Sequence, residues 1–248
     1  MNERYVDLYR KLKVDCAGGN YRVFFVYDNT RGDFDASFFE DKSEWYLFDW
    51  DQLAARYDMY SVNRKGRVYD GNTTFPILLF CRDNPDYRFY WRVEYDVWYH
   101  GPWDEFFDAF EANDSDLLTT TLFRPPLRPD WEWWRTLRKP WSHWRRVDKI
   151  RCFLGVSRLS RRACETLEHA FHDGWAGHDE VAVPTILRDY GLSLEDIGGD
   201  GEFVKPGNAN RFYTNTPRRS LLAPGTFVCP PRVPESLDQP GKLYHPVK

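Results

Sequence analysis

One run constrains this chain more than any other: Phe89-Tyr90-Trp91-Arg92-Val93-Glu94-Tyr95-Asp96-Val97. Phe89, Trp91, Val93, Tyr95 and Val97 alternate with Tyr90, Arg92, Glu94 and Asp96, the period of two of a strand with one apolar face. The pattern predicts a buried core strand broken at Gly101-Pro102, with Glu94 and Asp96 on the same side. Two neighbouring acids at the end of such a strand are costly unless a cation or a proton compensates them. Arg92 is one cation that could do so. A divalent metal carrying an anionic substrate is another.

The flanking segments alternate between helix and strand periodicity. Tyr5, Leu8, Tyr9 and Leu12 recur at helical spacing, and Gly18-Gly19 follows as a stop. Tyr21–Tyr27 reads as a buried strand with a polar tip at Asp28-Asn29. Trp45–Phe48 is a short strand ended by Asp49, Leu53–Tyr57 is helical, and Phe75–Phe80 suits either state. Beyond the acid pair, Trp103, Phe106, Phe107 and Phe110 mark an amphipathic helix, Leu117–Phe123 a Thr-rich strand and Ile150–Val156 another. Ser160 caps a helix with Ala163, Leu167, Ala170 and Phe171 on one face. The order predicts an α/β fold with a largely parallel sheet and helices on both faces. Ligands of such sheets sit at the carboxyl ends of the strands, where Asp28, Asp49 and the Glu94/Asp96 pair would lie.

With 248 residues, no internal repeat and no convincing domain boundary, the chain reads as a single domain. It carries a Trp/Arg-rich insert at 124–146 and a Pro-rich tail at 204–248. The insert interleaves Trp131, Trp133, Trp134, Trp141 and Trp144 with Arg135, Arg138, Arg145 and Arg146. Basic residues mixed with aromatics suit a single-strand nucleic-acid platform, a sugar-stacking or phosphate-facing lid, and equally tryptophans packed on the domain with solvated arginines. A net charge of −4 speaks against a general nucleic-acid partner. Five scattered cysteines (Cys16, Cys81, Cys152, Cys164, Cys229) with no C-x-x-C pair predict reduced thiols and a cytoplasmic protein. No apolar run is long enough to span a membrane, which leaves peripheral association open.

Two more segments carry candidate chemistry. In Gly174-Trp175-Ala176-Gly177-His178-Asp179-Glu180 the acids precede a helical run over Val181–Tyr190, and Pro184 suits its first turn. Asp179 could be an ordinary N-cap, but Glu180 cannot fill the same role. Tyr244-His245-Pro246 places a histidine near the terminus, where a lone His is usually surface decoration.

The strings Tyr90-Trp91-Arg92-Val93-Glu94-Tyr95-Asp96-Val97, Gly101-x-Trp103, Gly174-Trp175-x-Gly177-His178-x-Glu180 and Pro184-Thr185 resemble a group of bacterial and fungal glycosyltransferases of the GT-A type. The resemblance spans roughly Tyr21 to Phe203 together with His245. It implies a nucleotide-sugar donor, a glycan or other hydroxyl acceptor, and Mn²⁺ or Mg²⁺ held by Glu94, Asp96 and His245. Glu180, or Asp179, then matches the base of an inverting transfer. Asp28, Asn29, Trp175, Gly177 and His178 fall where the substrate would bind. The chemistry is coherent: a metal on two carboxylates stabilises a leaving diphosphate, and a carboxylate suffices to take the acceptor proton.

Two features depart from that pattern. The acidic motif begins with Glu rather than Asp, and the fold's opening strand is missing ahead of Tyr5. A sheet lacking that strand is expected to show a bare hydrophobic edge beside Tyr21–Tyr27, or to be completed by a further β-rich run upstream. Three functions stay open at this point: a glycosyltransferase, a non-catalytic glycan- or nucleotide-binding relative, and a two-carboxylate glycoside hydrolase.

Overall fold

The computed structural model describes residues 3–57, 73–125, 129–143, 146–214 and 226–248. Trp144, Arg145 and part of the Pro-rich tail lie outside them. Helix α1 (Glu3–Asp15) leads into β1 (Phe25–Asp28), β2 (Trp45–Phe48), α2 (Trp50–Arg56) and α3 (Thr74–Asp83). Then come β3 (Phe89–Val93), β4 (Trp98–Tyr99), α4 (Trp103–Asp108), β5 (Leu117–Phe123) and β6 (Arg151–Ser160). The chain continues through α5 (Arg161–His172), α6 (Asp179–Asp189), β7 (Leu194–Asp196), β8 (Phe227–Arg232) and β9 (Leu243–Val247). No helix among the described residues is long and apolar enough to cross a membrane.

The α/β character and the helices on both faces hold, but the largely parallel sheet does not. The strands form three sheets, ordered β1-β2, β3-β6-β5-β7 and β4-β9-β8. In the four-stranded sheet, β6 runs antiparallel to both β3 and β5, and only β5–β7 is a parallel pair. The reason lies in the connection. A parallel neighbour needs a long crossover, usually a helix. Between β5 and β6 the described residues of the Trp/Arg-rich segment offer only one short 3₁₀ turn, at Glu132–Arg135. Strand β6 therefore inserts in reverse between β3 and β5, which keep a common direction and bring their carboxyl ends to one edge.

Successive side chains of β5 go to opposite faces, as a strand requires. Leu117 joins a core built with α3, α5 and α6, and Leu118 a second core built with α1 and α4. Ser160 caps α5 as its sequence predicts, its hydroxyl accepting from Ala163 N–H at 3.0 Å. Arg158 fastens the second core. Its guanidinium is buried over Phe89 at 4.0 Å and donates to the carbonyls of Phe110, Asn113 and Ser115 at 2.7–3.2 Å. Burial pulls its pKa down to about 10.

Three strand expectations need correction. β1 covers only Phe25–Asp28 of the predicted run, and Phe25 alone of its residues is buried. β3 is an edge strand, not a central one, and stops at Val93. Glu94 N–H still bonds Gly155 O at 2.8 Å, but Val97 N–H turns back to Glu94 O at 3.0 Å. The anticipated bare edge takes a different form. β1 and β3 do not pair, and between them lies a cavity of about 180 Å³ lined by Val23, Val26, Trp91 and Val93. Leu12 and Cys16 of the α1 segment and Ile77 and Phe80 of α3 also line it.

Arg158→Met keeps the apolar stem but takes the guanidinium donor from the Asn113 and Ser115 carbonyls, while Phe110 O keeps its bond from Asn113 N–H. It should lower unfolding free energy by about 2–4 kcal/mol, read as a lower urea midpoint at unchanged slope. An unchanged midpoint would show that those carbonyls find other donors.

Candidate active site

The acid pair gains a third member from the far end of the chain. β9 pairs antiparallel with β4, Trp98 opposite Tyr244, and Val247 N–H donates to Asp96 O at 2.8 Å. This pairing delivers His245 to the turn that follows β3. One ligand atom each of Glu94, Asp96 and His245 lies within 4.8 Å of the others, and all three side chains are half-buried. His245 Nε2 stands 3.7 Å from Asp96 Oδ2, with its ring against Phe153 and Phe227 at 4.6 and 5.6 Å. Burial pushes the Asp96 carboxyl above its ordinary value; His245 opposes this and Glu94 adds to it. Burial also pulls His245 down, against the acids beside it, and so favours the neutral imidazole that can donate a lone pair to a metal. Two carboxylates with one neutral imidazole form a donor set that fits Mn²⁺ or Mg²⁺ with further oxygen ligands.

A polar chain joins this cluster to the start of α6. Arg92 bonds Glu94 and also donates to Thr73 Oγ1 at 2.7 Å. Thr73 Oγ1 donates to Asp179 Oδ2 at 2.7 Å, and Thr74 Oγ1 reaches the same oxygen at 3.3 Å. Because the Thr73 hydroxyl is engaged there, it makes no cap bond to α3. Helix α6 begins at Asp179, so Pro184 falls in its second turn, not its first. The N-cap is His178, whose Nδ1 accepts from Glu180 N–H at 3.3 Å. The cap role considered for Asp179 therefore belongs to His178. Asp179 is instead a buried acceptor that locks α6 to α3.

Glu180 is the least satisfied acid of the group. Burial pushes its carboxyl up to about 8; Asp179 adds to this, Arg151 opposes it, Glu94 raises it and Arg92 lowers it. The opposite ends of the polar chain thus share one electrostatic field. Arg151 is itself buried, stacked over Trp131 at 4.2 Å and Phe123 at 4.8 Å.

The residues assigned to substrate contact divide. Trp175 is completely buried, edge-on to His143 at 4.9 Å, so it builds the core and presents no face to a ligand. Gly177 has φ +145°, and a Cβ there would come within 3.0 Å of Leu137 Cα, so it serves close packing of the Trp-rich segment. His178, besides capping α6, stacks on Trp133 at 4.4 Å. Asp28 closes a turn by accepting from Thr30 N–H at 2.9 Å, and Asn29 Oδ1 accepts from Phe34 N–H at 3.1 Å. Tyr95 of the acid turn packs its ring 4.6 Å from that of Tyr5 in α1.

Thr73, Thr74 and Arg151 escaped the sequence reading. The two threonines precede the apolar run of α3, a position that reads as ordinary capping. Arg151 looks like a solvated residue at a strand start. No family model matches the chain, and no curated protein matches it.

The raised Glu180 carboxyl has a measurable consequence. Between its ordinary value of 4.5 and about 8, the unfolded chain ionises this group while the folded chain keeps it protonated. Its contribution to stability is then complete below pH 4.5, declines as pH rises, and levels off above about 8. Glu180→Gln removes that decline. The variant should gain on the parent from pH 5 to pH 8 by roughly 2–4 kcal/mol, followed by urea unfolding at both pH values. A constant difference would show that the carboxyl titrates normally.

Proposed function

We propose that this chain is a metal-assisted glycosyltransferase that moves a sugar from a nucleotide-sugar donor to a hydroxyl acceptor with inversion. The observation that carries the reading is the convergence of Glu94, Asp96 and His245, with Glu180 in their field. A divalent cation held by those three would supply Lewis-acid stabilisation of the departing diphosphate. Arg92, bonded to Glu94 at the rim of the cluster, adds fixed positive charge where phosphate oxygens would lie. Glu180 takes the proton of the acceptor hydroxyl. Asp179 is a poor alternative, because two threonine hydroxyls already occupy its oxygen. A base titrating near 8 gives turnover that rises with pH towards about 8.

A second reading draws on that same acid. A carboxyl protonated at neutral pH also suits the general acid of a two-carboxylate hydrolase. Metal dependence separates the two.

In thermal-shift measurements, nucleoside diphosphates should raise the melting temperature only with Mn²⁺, because a ligand of the native state stabilises it by mass action. Asp96→Asn should abolish that shift. Glu180→Gln should keep it while lowering turnover by about 10²–10⁴-fold. A shift independent of metal, or equal loss of donor binding in both variants, would sink the assignment. Normal donor binding with no turnover against any acceptor would instead favour the non-catalytic relative.

A further inference from the structure

The Trp/Arg-rich segment has a second use that the site above does not absorb. From residue 133 to 147 it carries Arg135, Arg138, Lys139, Arg145 and Arg146 and no acid, within a chain of net charge −4. Three of its tryptophans are engaged inward: Trp131 lies under Arg151, Trp133 stacks on His178 and Trp134 is buried. Trp141 is fully exposed.

Its exposure is built in by the turn that holds it. On one side Arg138 and Ala176 exchange both backbone hydrogen bonds, at 2.8 and 3.1 Å. On the other, His143 N–H closes the turn onto Pro140 O at 3.0 Å. The His143 ring packs on buried Trp175 at 4.9 Å and faces Asp189 at 3.2 Å. The turn is thus pinned to the core on both flanks and holds a large amphipathic ring in water. Exposed Arg138 and Lys139 precede that ring, and exposed Arg146 follows.

We propose that the Pro140–His143 turn docks the protein on an anionic lipid bilayer, with Trp141 in the headgroup layer and the flanking cations against lipid phosphates. Indole rings favour that layer, with an apolar body on one side and a polar N–H on the other. Basic residues next to them gain from the negative surface potential. A single-stranded nucleic acid fits less well. It needs successive stacking platforms, and among the described residues this segment offers only one fully exposed ring.

The test is sedimentation of the whole chain with vesicles of phosphatidylcholine alone or mixed with phosphatidylglycerol. Binding should require phosphatidylglycerol and weaken as salt rises. Trp141→Ala and the double variant Arg138→Glu/Arg146→Glu should each lower partitioning by about tenfold. Both changes lie at exposed positions, so melting temperatures should stay at the parent value, which guards against misfolding as the cause. Equal binding to both vesicle types, no binding to either, or full binding by Trp141→Ala would overturn the proposal. So would a Trp141-dependent preference for a single-stranded oligonucleotide over the vesicles.

Discussion

Asp179 is a carboxylate held inside the protein, and the arrangement of the site follows from keeping it there. A buried charge is tolerated only where donors surround it. Here they are the hydroxyls of Thr73 and Thr74, so the amino end of α3 must meet the amino end of α6. The Thr73 oxygen then has room to accept a bond, and Arg92 of β3 supplies it. The same guanidinium bonds Glu94. Three elements distant in sequence, which already share one hydrophobic core, are thereby also joined by polar contacts, and the acids beyond β3 are set relative to those of α6. Replacing Asp179 by an apolar residue would release α3, β3 and α6 from a common register without removing any hydrophobic contact of the core.

The acid turn is placed by an equally specific backbone arrangement. Gly155 O accepts from Glu94 N–H, and a Cβ at Gly155 would lie 2.6 Å from the Phe153 ring and 3.2 Å from Val97. Only a glycine lets the turn after β3 come so close to β6. Phe153 in turn packs against His245. The glycine, the aromatic ring and the terminal strand therefore fix the histidine's position together, and the antiparallel insertion of β6 makes this possible. Had β6 run parallel to β3, Gly155 and Phe153 would have faced a different stretch of it.

How much of this was legible in the residues depended on the range of the signal. Local chemistry read well. The helix from Tyr5, the strand at Leu117–Phe123, the Ser160 cap and the amphipathic helix at Trp103 are all in place, because periodicity and capping act within a few residues. Direction and partnership read poorly. Alternating strands and helices suggested a parallel sheet, yet the Pro-, Trp- and Arg-rich sequence between Phe123 and Arg151, with no helical periodicity, was the clue to reversal. The edge position of β3 is hidden in its sequence, because rings of α3 and α4 pack on both its faces, Phe80 on Tyr90 and Phe107 on Trp91, although Tyr90 alone of its residues is buried. In the site, Glu94, Asp96 and His245 converge as the resemblance implied. Trp175 and Gly177 sit in the same motif for packing reasons, which the motif alone could not separate from binding. Of the adjacent acids, Asp179 accepts from two hydroxyls, while Glu180 is pushed up first by burial and then by Asp179 beside it.

That last difference couples the two halves of the site. Glu180 holds its proton because burial and the charges of Asp179 and Glu94 outweigh Arg151 and Arg92. Asp179 is held by the hydroxyls of Thr73 and Thr74, whereas Glu94 sits half-buried beside Asp96 and bonds Arg92. Whatever neutralises Glu94 removes one of the charges that keep Glu180 protonated and lowers its affinity for the proton by Coulomb's law. The direction is the useful one under the proposed function. A cation drawn to the cluster with the donor would leave Glu180 more often ionised, so the base would be readied when there is a sugar to transfer and kept protonated when there is none.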